Sequence, residues 1–155
     1  MVIASTRDPA VLRDQLTEWF RATLPPDADP EVSEVSSPSG TGMSSETLLF
    51  DVTATLDGDR ETRAYAARLP PAEVDHPVFP SYDLELQFRC LRLVREHSDV
   101  PVPAAPWWEP DSAALGSPFF VMERVDGIVA SDNPPYVFGG WVVDIGPEGR
   151  EELER

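Results

Sequence analysis

The chain has 155 residues, enough for one ordinary domain and too few for two well-filled cores. Its 28 Asp and Glu outweigh 12 basic residues, all of them arginine, and the net charge of −16 excludes nucleic acid and anionic lipid, which carry the same sign. The single cysteine, Cys90, excludes an internal disulfide, and no apolar run reaches the ~18–20 residues of a membrane span. Met1–Ala4 is a short apolar patch without a basic flank, so no signal peptide is expected and a soluble cytoplasmic protein is.

Asp8-Pro9 reads as an N-cap followed by proline at the first helical position. Leu12, Leu16, Trp19, Phe20 and Leu24 then recur at helical spacing until Pro25-Pro26 ends the run. Val32 and Val35 suggest a brief strand that enters a loop rich in Pro, Ser and Gly. Thr47–Leu56 alternates, with Leu48, Phe50, Val52, Ala54 and Leu56 on one face; Asp57-Gly58 supplies a hairpin turn, and Thr62–Leu69 returns as the partner strand. Pro70-Pro71 stops it, and the stretch to Pro80 reads as a loop. A second helix is expected from about Tyr82 to His97, with Ser81 as N-cap, Asp83 in the first turn and Leu84, Phe88, Leu91 and Val94 as its buried stripe. Trp107-Trp108 begins a strand, Phe119–Arg124 forms another, and Gly127 closes it. Ala130–Gly140 reads as a linker, and Pro147–Arg155 as the start of a helix. The order predicts an α+β fold: an antiparallel β-sheet with one inserted helix, plus an N-terminal helix. Residues 1–129 would form this lobe, and residues 130–155 a linker with the first turns of a further lobe that the chain lacks.

Four elements could carry chemistry. Ser39–Ser45 holds two glycines and several hydroxyls, a composition that lets backbone N–H groups approach phosphate and equally suits an ordinary flexible loop. It lacks the spacing of a Walker loop, and the chain has no lysine to serve one. Ala66 and Arg68 share a strand face, where a small residue beside a permanent cation could hold a flat ring and a phosphate; an exposed strand-end arginine is the plainer reading. Glu85 could turn inward to pair with Arg68, or pair with Arg89 one turn along the surface. Phe119–Gly127 is an apolar strand that turns polar, as a core strand does on leaving a sheet. His76, His97 and the acidic residues show no metal-ligand spacing. Cys90 has no visible partner for nucleophilic work and reads as a small core residue.

In order and separation, GMSSETLLFDV, AYAARLPP, FFVMERVDG and the linker SDNPPYVFGGW resemble the N-terminal lobe of the aminoglycoside phosphotransferase and kinase-like small-molecule phosphotransferase family, over nearly the whole chain. Within that superfamily the likeness is to a branch found in actinobacteria and fused to some acyl-CoA dehydrogenases. The resemblance implies a kinase-like lobe that binds ATP for transfer of its γ-phosphate to a hydroxyl of a small molecule. Gly40, Thr41, Gly42, Met43, Ser44 and Ser45 would form the lid over the phosphates, and Ala66 would line the nucleotide site. Arg68 stands where the family usually has lysine, with Glu85 as the carboxylate that fixes it. Met122 would back the adenine pocket, and the backbone C=O of Glu123 and N–H of Val125 would contact the base, so that side-chain changes at those two positions should matter little.

The family's HGD…N loop and its later Asp motif are absent, so no catalytic residue and no metal ligand is assigned in this chain, and Mg²⁺ would be held by the missing lobe. The fragment alone is therefore expected to be inactive, and to self-associate through apolar surface such as Phe138 and the tryptophans. The alternative is a non-catalytic module that binds a nucleotide or a protein with a degenerate version of the same fold.

Overall fold

A computed structural model of the chain describes residues 7–38, 45–71, 81–128, 135, 137–147 and 149. They fall in two compact units, Met1–Arg124 and Val125–Arg155. The first unit is α+β. Helix α1 (Pro9–Thr23) is followed by strands β1 (Glu31–Val32), β2 (Glu46–Leu56) and β3 (Asp59–Leu69), helix α2 (Leu84–His97), and strands β4 (Trp107–Glu109) and β5 (Phe119–Glu123). The five strands make one sheet in the order β1-β2-β3-β5-β4, with every pairing antiparallel.

The local chemistry explains the elements. The Asp8 carboxylate accepts the Ala10 N–H at 2.8 Å, and proline at the first position of α1 needs no hydrogen-bond donor there. Strands β2 and β3 pair along their whole length, from Glu46↔Leu69 to Leu56↔Asp59. Their connection requires two residues with positive φ, supplied by Asp57 at 53° and Gly58 at 90°. Period-2 alternation then sorts the sheet into two faces.

On the first face, Leu48, Phe50, Val52 and Ala54 of β2, Tyr65, Ala67 and Leu69 of β3, and Phe119 and Val121 of β5 form the main core with Leu12, Leu16, Trp19 and Phe20 of α1. Aromatic edges interlock there: Trp19 lies 5.0 Å from Phe119, and Phe20 lies 6.1 Å from Phe50 and 5.4 Å from Trp107, centroid to centroid. The Trp19 indole N–H is satisfied by Glu109 at 2.8 Å. The second face carries a smaller cluster, in which Leu84 and Phe88 of α2 pack with Ala105 and Phe120, and Leu91, Trp108 and Met122 lean on them.

Several details depart from the sequence reading. Asp83 caps α2, accepting the Leu86 N–H at 2.8 Å, and Ser81 lies outside the helix. The expected stripe along α2 is buried at Leu84 and Phe88, partly buried at Leu91 and exposed at Val94, because six residues beyond Phe88 the helix has turned the side chain about 120° away from it. Cys90 is exposed: at helical spacing it lies opposite the buried face. The second unit contains α3 (Trp141–Asp144), which opens at Gly140, with φ at 92°. The helix expected over 147–155 lies mostly outside the described residues. Among the described residues no helix is long and apolar enough to cross a membrane.

Candidate functional site

Among the described residues, the second face of the sheet is only partly covered. Antiparallel register sets Arg68 between Thr47 of β2 and Phe120 of β5, and sets Ala66 between Leu49 and Met122. Helix α2 packs over Phe120, toward the β5-β4 side, and leaves Thr47, Leu49, Arg68 and Met122 half-buried while Ala66 is fully buried. Arg68 is thus a cation at the edge of a shallow apolar floor.

Arg68 is the least compensated charge of this face. Its guanidinium donates to the hydroxyl of the buried Ser45. Its Nε is buried and has no acceptor. Among the described residues no carboxylate pairs with it, and the two acids of β2 are engaged elsewhere. Glu46 faces the main core and pairs with Arg7 at 3.3 Å, while Asp51 pairs with Arg124 at 3.1 Å. Burial without a counter-charge pushes the Arg68 guanidinium below its ordinary pKa, although it stays protonated at neutral pH. A cation in this state gains most from an anion that enters from solvent.

Of the residues expected to form a site, Ala66, Arg68 and Met122 are brought together on this face, and Ser45 joins them through its hydroxyl. Gly40, Thr41, Gly42, Met43 and Ser44 lie outside the described residues. Glu85 does not join: its side chain is exposed and sits 4.0 Å from Arg89, so the surface alternative is the one realised. The reason is rotational. Leu84, Phe88 and Leu91 hold one side of α2 against the sheet, which turns Glu85 and Arg89 away.

Glu123 also differs from expectation. Its backbone N–H donates to the Ala104 carbonyl at 2.8 Å and its carboxylate accepts the Ala104 N–H at 3.1 Å, so the side chain ties β5 to the proline-spaced segment before β4. Val125 is exposed and belongs to the second unit. The sequence reading missed the Arg7–Glu46 and Asp51–Arg124 pairs, whose members are far apart in the chain and carry no local signal. Among the described residues no group of three or more His, Cys, Asp or Glu is placed to hold a metal ion.

No protein-family model matches the chain. Over 116 residues it is 27% identical to the probable acyl-CoA dehydrogenase IBR3 of Arabidopsis thaliana, a likeness that covers 75% of this chain and 12% of that protein. The chain thus spans about 12% of that relative's length. These findings correct the family reading. The named relative is an acyl-CoA dehydrogenase and not a kinase or phosphotransferase, so the phosphotransferase assignment, with γ-phosphate transfer to a small-molecule hydroxyl, is withdrawn. Four short strings in the right order proved too little to identify a family, since Gly/Ser loops, strand-end arginines and apolar strands recur in many sheets.

Proposed function

We propose that the chain is a non-catalytic module that binds a phosphate-bearing nucleotide ligand, in a protein of the acyl-CoA dehydrogenase kind. Arg68 and Ser45 receive a ligand phosphate, and the partly open floor of Leu49, Ala66 and Met122 lies beside the attached base. The relative's name brings in acyl-CoA, whose coenzyme end carries an adenine and three phosphates. ATP, the cofactor that the family resemblance implied, offers the same chemistry and is the competing ligand, and Mg²⁺ would accompany it.

The observation that supports this reading is the half-buried Arg68, with a buried Nε that lacks an acceptor and no carboxylate within reach among the described residues. An arginine kept for structure would be expected to hold a carboxylate in such a place. The net charge of −16 opposes an approaching anion, but at physiological ionic strength that field is screened beyond ~8 Å, so affinity must come from the local contact.

Isothermal titration of the 155-residue chain with coenzyme A, its 3′-dephospho form, ATP and pyrophosphate tests the reading. Coenzyme A should bind, and Arg68→Ala should weaken it by about 10- to 100-fold, the worth of one or two charge-assisted hydrogen bonds. Absence of heat with every probe, or equal affinity in the variant, refutes the proposal. Tight ATP binding without coenzyme A binding would refute the acyl-CoA part alone.

A further inference from the structure

Helix α2 is buried on one side only. Leu84 and Phe88 face the sheet, whereas Leu86 and Leu93 on the opposite side are 56% and 52% exposed, and Cys90 between them is exposed as well. Positions 86, 90 and 93, continued by His97, are spaced four, three and four residues apart and form one straight seam. Arg89 and Glu96, seven residues apart, border the seam on the same side, and both are exposed.

We propose that this seam joins two copies of the chain as an antiparallel pair of α2 helices. With Cys90 of one copy set against Leu93 of the second, Leu86 meets His97 of the second copy, and a two-fold axis repeats both contacts. At 1.5 Å rise per residue, the same register puts Arg89 and Glu96 of the second copy within ~3 Å of each other along the axis. Symmetry supplies the reciprocal ion pair. A parallel pairing would set Arg89 beside Val94 and form neither, so charge complementarity selects both the partner and the direction. Arg89 and Glu96 balance each other along the seam, so this side of α2 carries no net negative charge on a chain of net charge −16. A 14-residue helix buries less than the ~1,200 Å² of standard complexes, so fast exchange and a Kd of roughly 0.01–1 mM are expected.

Sedimentation equilibrium of the full chain at about 0.15 M salt, from about 10 µM to 1 mM, reads the association. A monomer–dimer equilibrium is expected. Glu96→Arg and Arg89→Glu each set like charges together and should weaken the dimer ~10-fold or more, and the double exchange should restore it to within about threefold. Leu93→Asp should abolish the dimer, and Phe138→Ser in the second unit should leave it unchanged. Far-ultraviolet circular dichroism verifies that each variant keeps its helices. A chain that stays monomeric throughout overturns the proposal, as does a dimer that survives Leu93→Asp, is lost in Phe138→Ser or is not restored by the double exchange. The outcome is independent of ligand binding at Arg68, which lies on another element.

Discussion

Replacing Arg68 by methionine should make the free protein more stable and the liganded protein less so. The guanidinium is half-buried, its Nε is buried without an acceptor, and among the described residues its side chain bonds only to the neutral Ser45 hydroxyl. An unsatisfied buried polar group costs about 1–3 kcal/mol, and the part of the guanidinium still in water argues for the low end of that range. Methionine has a similar length, carries no charge and can lie along Ala66, Met122 and Phe120. The expected gain is thus ~1 kcal/mol, or roughly 3–5 °C in Tm for a unit of this size. Ligand inverts the order. Coenzyme A at 100 times its Kd should stabilise the parent by about 2.7 kcal/mol and leave the methionine variant nearly unchanged. Urea unfolding followed by tryptophan fluorescence, with and without coenzyme A, measures both effects. If Arg68→Met loses more than ~1 kcal/mol without ligand, the guanidinium is a structural element and the reasoning fails.

Phe20→Ala should cost about 3–5 kcal/mol in urea unfolding, because the ring is fully buried amid Trp19, Phe50, Tyr65 and Trp107; a loss under ~1.5 kcal/mol would mean that the α1 contact with the sheet is looser than described. Asp83→Ala should lose ~1 kcal/mol while Ser81→Ala stays within about 0.5 kcal/mol, and the reverse order would return the cap of α2 to Ser81. Burial raises the Tyr65 hydroxyl above its ordinary 10.0, with the Arg63 guanidinium partly opposing it. The folded chain therefore keeps a proton that the unfolded chain gives up, and stability that is full below pH 10 falls as pH rises through the folded pKa. With no lysine in the chain, few other groups titrate there, so Tyr65→Phe should visibly flatten the alkaline limb of a stability profile. An unchanged limb would refute this role for Tyr65.

Much of the fold could be read locally. Asp8-Pro9 and the 12, 16, 19, 20 spacing specify α1 through capping and periodicity, and Asp57-Gly58 specifies the long hairpin because both residues tolerate positive φ. Alternation along β2 correctly assigned Leu48, Phe50, Val52 and Ala54 to the core. The candidate site was legible only in part. That Ala66 and Arg68 share a face follows from strand geometry, yet neither the absence of a carboxylate beside Arg68 nor the engagement of Glu46 and Asp51 elsewhere has any local signal.

Covalent sequence determines what each short segment can do alone: where a helix starts, where a chain reverses, which side of a strand is greasy. Only the assembled tertiary structure decided which long-range neighbours arrive. It turned Glu85 toward Arg89 and Cys90 toward solvent because α2 can present just one side to Phe120 and Trp108. Burial and charge pairing depend on contacts between residues tens of positions apart, so they are properties of the packed sheet and helices rather than of any window of sequence.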